Sequence, residues 1–254
     1  MFLDLQGSSI PESQVIGYGG TGVVLLRDGV AVKIPFRNSR TSDARVKGNL
    51  KVLRLEQGVY RRLSPSQDDQ CPGVVPCLGF TEDSIELAYM KNGELRSYLE
   101  SHPTSRTLQL SWFCQMANTL AQIHERHVLV TDISTRNFLL DADMSLKLCD
   151  FSEASVLPLQ TNMETADDEG YTVAVDIGLL GIIMYEIVTG TRCEIDLYKD
   201  NDPRDGRAYW PDRSYLPSTE NLWLGPIIEA CWTGGFRDAR CLLEALETAE
   251  PQPL

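Results

Sequence analysis

Asp132, Asn137 and Asp150 fall within twenty residues of one another in this 254-residue chain. An aspartate can receive a proton, and a carboxylate with an amide carbonyl can hold a hard cation through oxygen. Between Asn137 and Asp150 lie Phe138-Leu139-Leu140, the turn-former run Asp141-Ala142-Asp143, and the alternating Leu146-Lys147-Leu148. That pattern predicts a strand, a tight turn and a second strand. Such a hairpin folds Asp132 and Asn137 back onto Asp150. Taken alone, the same residues also fit a polar loop with a solvated aspartate.

A second chemistry is written upstream. Gly17-Tyr18-Gly19-Gly20-Thr21-Gly22-Val23-Val24 fits Gly-x-Gly-x-x-Gly-x-Val. Glycines let the backbone turn tightly and bring N–H groups close to phosphates. A dinucleotide-binding turn is the rival reading, but it runs into a helix. Here the glycines run into β-branched and aliphatic Val23–Leu26, a turn at Arg27-Asp28-Gly29, and a second strand, Val30–Ile34. The glycines therefore sit on a β-hairpin. Lys33 lies near the end of its second strand and, judged in isolation, is an edge lysine facing water.

Other elements must position these groups. Residues 43–63 carry Val46, Leu50, Leu53, Val59 and Tyr60 at helical spacing, with Glu56 on the same helix and Gly58 weakening it. Cys71 to Pro76 is turn-rich. Cys77–Phe80 and Ile85–Met90 read as strands, Lys91–Glu94 as a turn, and Leu95–Leu99 as the start of a helix. Ser111–Arg126 predicts a helix with Phe113, Met116, Ala117, Leu120 and Ile123 on one face. An apolar helix opens at Asp176 and runs to Thr189, and another covers Ala239–Leu246.

Read in order, these signatures resemble the eukaryotic protein kinase family. That family reads His-Arg-Asp-Leu, three residues, Asn, then Asp-Phe-Gly. Here Val130 and Thr131 stand for its His and Arg, and Ser152 for its Gly. The resemblance implies an α+β, two-lobed fold over residues 10–250, with a small β-rich lobe over about 10–90 and a larger helical lobe over about 91–250. It implies ATP and Mg²⁺ as ligands. Lys33, fixed by Glu56, and the glycine-loop amides of Gly17, Gly19 and Gly22 would place the phosphates. Ile16, Val24, Ala31, Leu87 and Leu139 would enclose adenine, with backbone groups from Ala88 to Met90 along its edge and Cys149 beneath the phosphates. Asn137 and Asp150 would hold the metal, Asp132 would act on the acceptor, and Arg136 would add a positive charge beside it. His124 and Asp176 are expected to be structural. A basic residue four after Asp132, with Ser134 where serine/threonine kinases usually have lysine, points to a divergent tyrosine-kinase-like member.

The segment from Ser152 to Val175 is shorter than the family leads one to expect, and it lacks Ala-Pro-Glu. Glu164 falls near that glutamate's place, with Arg237 as its expected partner. Two alternatives to an active protein kinase are therefore kept: a pseudokinase acting as a nucleotide-binding or scaffold module, and a small-molecule kinase of the same fold.

The net charge of −13 disfavours nucleic acid and anionic membranes as partners, leaving ATP and a protein substrate or partner. Seven cysteines without a Cys-x-x-Cys pair suit an intracellular, cytoplasmic setting. No apolar run approaches the roughly 20 residues that span a bilayer. No internal repeat or second domain is evident.

Overall fold

The computed structural model describes residues 1–66, 69–199 and 204–250. It is α+β. An antiparallel five-stranded sheet forms the smaller lobe, with strand order β1-β2-β3-β5-β4. The strands are β1 (Val15–Tyr18), β2 (Gly22–Arg27), β3 (Val30–Pro35), β4 (Cys77–Phe80) and β5 (Ile85–Ala88). Asp28 and Gly29 join β2 to β3 with φ of 49° and 81°. Two successive positive φ values match the right-handed twist of a two-residue hairpin, and Asp-Gly tolerates them. β3 pairs with β2 on one side and β5 on the other, so Lys33 lies in the sheet interior. Its isolated reading as an edge lysine facing water is corrected: Lys33 is buried. β5 stops at Ala88, two residues short of expectation, because Met90 turns away and its carbonyl accepts from the amide of Gly93.

One helix, α1 (Asp43–Leu63), packs on this sheet. Ser42 caps it by accepting from the amide of Arg45. Its inner face buries Leu53, Glu56, Val59, Tyr60 and Leu63. That burial outweighs the cost of Gly48 and Gly58, about 1 kcal/mol each in a helix interior.

The larger lobe is helical. Its helices are α2 (Leu95–Ser101), α3 (Arg106–Glu125), α4 (Val173–Thr189), α5 (Gly225–Trp232) and α6 (Ala239–Glu247). α3 begins five residues before the expected Ser111, because Ser105 caps it by accepting from the amide of Leu108. α4 begins at Val173 under a Thr172 cap and ends at Gly190, whose φ is 67°. Asp176 is therefore inside the helix and fully buried. Two short ribbons, β6 (Val128–Leu129) with β9 (Ser155–Val156) and β7 (Phe138–Leu140) with β8 (Leu146–Leu148), bracket the polar residues. The β7–β8 turn places Met144, not a glycine, at φ 67°. The Trp112 indole donates to the Met144 carbonyl at 3.0 Å and holds it there.

One core cluster runs through both lobes, from Ala31 and Leu53 through Phe151 to Leu180 and Leu246. A second, smaller cluster lies on the outer side of the sheet and contains Ile10, Val23 and Leu25. Among the described residues, no helix is long and apolar enough to cross a membrane.

Candidate active site

The lobes enclose a cleft of about 940 Å³. Ile16, Gly17, Gly19, Gly22, Val24, Ala31 and Lys33 line it from the sheet, and Glu56 from α1. Leu87, Ala88 and Met90 line it from the link between lobes, and Asp132, Arg136, Asn137, Leu139, Cys149 and Asp150 from the ribbons below. All the residues singled out for the site in the sequence thus meet in one cavity. Tyr18, Asn92, Glu94, Ser97 and Glu153 also line it. Tyr18 comes with the glycine motif; the other four carry no motif, and only the folding of the chain brings them there.

Three charged groups meet at the back. The Lys33 ammonium lies 2.6 Å from a Glu56 carboxylate oxygen and 2.8 Å from one of Asp150. Burial alone would lower the lysine's pKa, but the two carboxylates outweigh it and hold Lys33 charged. Asp150 also feels burial, yet Lys33 and the Ser152 amide keep it below its ordinary value. Glu56 is the deepest of the three, and burial lifts its pKa against the pull of Lys33. Its second oxygen accepts from the Phe151 amide at 3.1 Å. α1 is thereby tied both to β3 and to the segment after β8. Phe151 is fully buried and meets the Tyr60 ring edge-on, with centroids 5.2 Å apart.

The opposite wall carries Asp132. Arg136 donates to both its oxygens, at 3.0 and 2.9 Å. The Asn137 side-chain nitrogen donates to the Asp132 carbonyl at 2.9 Å and to its carboxylate at 3.1 Å. Those bonds fix the amide of Asn137, so its side-chain oxygen is the end left to accept. The backbone beneath is pinned by Asp176, which accepts from the amides of Val130 and Thr131, both at 2.9 Å, and from His124 at 2.8 Å. Thr131 and Asp150 have φ of 66° and 61°, an uncommon region for residues other than glycine. Asp176 supports the first of these turns. Lys33 and the Ser152 amide hold the Asp150 side chain at the second.

A side-chain oxygen of Asn137 and the carboxylate of Asp150 are the donor types a hard cation takes when phosphate oxygens and water complete its shell. Among the described residues there is no group of three or more His, Cys, Asp or Glu that could cage a metal unaided. Cys149 donates its thiol to the Asn137 carbonyl, and burial pushes its pKa up, so it stays neutral. The amide of Ala88 donates to the Pro76 carbonyl, which removes it from the edge groups expected to meet a base. The four glycine-loop glycines differ. A Cβ on Gly22 would sit 3.0 Å from Lys33, whereas one on Gly17, Gly19 or Gly20 would meet nothing within 4 Å.

Beyond Asp150 the segment is short but well tied. Thr131 donates its hydroxyl to the Glu153 carbonyl at 2.8 Å. Arg207 pairs with Asp167 at 2.6 Å, and Arg237 meets Glu164 at 3.5 Å in an exposed contact worth little.

The profile of the protein kinase domain matches residues 11–202. A probable serine/threonine-protein kinase of Dictyostelium discoideum is 30% identical, over 91% of this chain and 26% of its own length. A G-type lectin S-receptor-like serine/threonine-protein kinase of Oryza sativa subsp. indica is 26% identical, over 84% of this chain and 28% of its own. An Aurora kinase of Eremothecium gossypii is 24% identical, over 57% and 44%. The chain thus spans about a quarter of the length of the first two of these relatives. With most of its length matched and this cleft between its lobes, the chain belongs to the protein kinase domain family.

Proposed function

We propose that this chain is a protein kinase that transfers the γ-phosphoryl group of ATP to a protein hydroxyl. The observation that carries the reading is the Lys33–Glu56–Asp150 network facing Asp132 and Asn137 across one cleft. Lys33 holds phosphate oxygens, kept in place and charged by Glu56. The amides of the glycine loop approach the same phosphates. Asn137 and Asp150 bind Mg²⁺, which when bound neutralises charge on the phosphates. Asp132 orients the acceptor hydroxyl and takes its proton, and Arg136 keeps the carboxylate aimed. Catalysis of this kind is mostly positioning and charge stabilisation. Ile16, Val24, Ala31, Leu87 and Leu139 sandwich the base, while the carbonyl of Ala88 and the backbone of Met90 meet its edge.

The acceptor reading rests on two supports. The relatives' names describe serine/threonine kinases. Arg136, four residues after Asp132, is the tyrosine-kinase-like trait. A tyrosine-kinase-like enzyme acting on serine or threonine fits both. The cysteine pattern keeps the intracellular setting as part of the proposal.

The test is Mg²⁺-dependent ATP turnover with and without a generic protein acceptor, beside a thermal shift with Mg-ATP. The wild type should turn over only with acceptor and melt higher with Mg-ATP. Asp150→Asn should abolish turnover, and Asp132→Asn should lower kcat with ATP binding nearly intact. Binding without turnover would mean a pseudokinase, and turnover with a small molecule alone would mean a different acceptor class. Equal loss of ATP affinity in both variants would show Asp132 to be misassigned.

A further inference from the structure

The first ten residues form a small hairpin, and its contacts lead to the glycine-rich loop. The turn spans Asp4–Ser8: the Ser8 amide donates to the Asp4 side chain at 2.7 Å, and Gly7 sits at φ 87°. The Ile10 amide donates to the Phe2 carbonyl at 3.0 Å, closing the hairpin. The Leu3 amide donates to the Arg37 carbonyl at 3.0 Å, and the Arg37 guanidinium donates to the Leu5 carbonyl. The hairpin is therefore docked beside the end of β3. Its half-buried Phe2 joins Val15, Ile34 and Phe36 in closing the outer cluster of Ile10, Val23 and Leu25.

Phe2 also reaches further. Its ring lies 5.7 Å from that of Phe36, edge-on, and 5.3 Å from that of Tyr18. Tyr18 stands between Gly17 and Gly19 and lines the cleft, while 70% of it faces solvent. The rest of the loop has few holds. The Phe36 amide donates to the Thr21 carbonyl at 2.8 Å, and Arg45 donates to the Gly20 carbonyl at 3.3 Å. The Gly19 amide also donates to the Gly22 carbonyl at 2.9 Å, and Gly17 and Tyr18 pair with Val24 and Val23 of β2, so the backbone is tied at the loop's ends while the Tyr18 ring rests against Phe2.

We propose that the 2–10 hairpin is a positioning element for the glycine-rich loop: Phe2, through Tyr18, holds the loop near its nucleotide-binding shape and so sets the affinity for Mg-ATP. The proposal rests on the nucleotide-binding reading given above. A glycine-rich segment loses much conformational freedom when a ligand orders it. Contacts that order it beforehand remove part of that cost and strengthen binding. Phe2 does not line the cleft, so it acts through the rings it meets, Tyr18 first and Phe36 beside it.

The test uses the full chain, with Phe2→Ala, Tyr18→Ala, the double variant and Phe2→Tyr, which keeps a ring. Two quantities are read: Mg-ATP dissociation constants by calorimetry, and amide hydrogen exchange of residues 17–22 without ligand. Phe2→Ala should weaken Mg-ATP binding about three- to tenfold and speed exchange in the loop, since both report lost preorganisation. The KM for ATP should rise with kcat little changed. Tyr18→Ala should match it, the double variant should be no worse than either, and Phe2→Tyr should restore wild-type values. A Phe2→Ala protein with a lowered Tm but unchanged affinity and loop exchange would overturn the proposal, leaving the hairpin a cover for the outer cluster. Additive losses in the double variant would overturn it as well, because the two rings would then act separately. A wild type that binds no Mg-ATP counts against the nucleotide reading. Loop exchange then decides on its own: faster exchange in Phe2→Ala supports the hold on the loop, and unchanged exchange overturns it.

Discussion

Removing Lys33 leaves two carboxylates facing each other with no cation between them. Glu56, already lifted by burial, would rise further once its counter-charge is gone. A carboxyl whose folded pKa lies above its unfolded value stabilises the fold below the unfolded value and loses that contribution as pH rises through the folded one. The destabilisation of Lys33→Met relative to wild type should therefore grow as pH climbs from about 4.5 towards neutrality, near the ordinary glutamate value. Melting both proteins across that range tests it; a constant difference would mean that Glu56 stays ionised without its partner. Gly19 makes the opposite case, because a Cβ there meets nothing in the free protein. Gly19→Val should leave stability within about 0.5 kcal/mol, as for most open surface positions, while abolishing measurable Mg-ATP binding. Retained binding would show that the phosphates do not approach this backbone.

At the scale of elements, the contacts of the segment from Asp150 to Thr172 bear on whether a phosphate there would have a cradle. In many kinases an arginine before the catalytic aspartate pairs with a phosphate on this segment. Thr131 stands there instead, and its hydroxyl is committed to the Glu153 carbonyl. Arg62 of α1 donates to the Arg126 and Leu157 carbonyls, and three further arginines near the cleft and α1 have engagements of their own. Arg136 holds Asp132, Arg45 holds the Gly20 carbonyl, and Arg54 meets the Glu82 carbonyl. β9 pairs with β6, Ser155 donates to Asp168, Arg207 holds Asp167 and Arg62 donates to the Leu157 carbonyl, so the segment is ordered without a phosphate. An added charge of about −1.5 to −2 would face Glu164, Asp167, Asp168 and Glu169. Activity should therefore not depend on phosphorylation of Thr161, Thr165, Tyr171 or Thr172. The variant to compare with phosphatase-treated wild type carries Thr161→Ala, Thr165→Ala, Tyr171→Phe and Thr172→Asn. Asparagine is chosen at the last position because Thr172 caps α4, and losing the cap costs about 1 kcal/mol. Turnover should stay within tenfold; a larger loss with an unchanged melt would sink the idea.

At the scale of the whole molecule, beside the bonds of Gly73 and Val75 to Leu148, one of the joints between the lobes is Phe151 against Tyr60. The continuous core crosses from α1 to the ribbons of the larger lobe at this contact, and the Phe151 amide anchors Glu56 beside it. Phe151→Ala should cost about 3–5 kcal/mol, the usual range for a buried phenylalanine. It should also cut turnover in the protein that remains folded, because Glu56 loses its fixed approach to Lys33. The check is a denaturant melt beside specific activity corrected for folded fraction. Lost stability with intact activity would show that the lobes position the ion pair without this joint. The cleft has walls from both lobes, so if Mg-ATP binds there as proposed it should raise one cooperative transition in wild type and not resolve two.

Much of this was decided by local sequence. Asp-Gly at 28–29 specifies its own hairpin, and the alternation around Lys147 specifies the ribbon. The apolar spacing of residues 43–63 specifies a helix, because these patterns act through neighbours a few residues apart. The family resemblance carried by the order of Gly17–Gly22, Lys33, Glu56, Asp132, Asn137 and Asp150 led one to expect them in one site, and they line one cleft. Helix starts were less legible. The apolar spacing suggested Ser111 as the start of α3, whereas the Ser105 cap opens it at Arg106. The same holds for Met144, whose left-handed backbone is paid for by a bond from Trp112, 32 residues away. Only the tertiary structure could show that Lys33 is an interior lysine, since strand order depends on β5 arriving on its far side. Only it could show that Thr131 turns to Glu153, or that Phe2 reaches Tyr18. Those contacts join residues distant in the chain, and no periodicity or spacing records which side chains will meet once the core has closed.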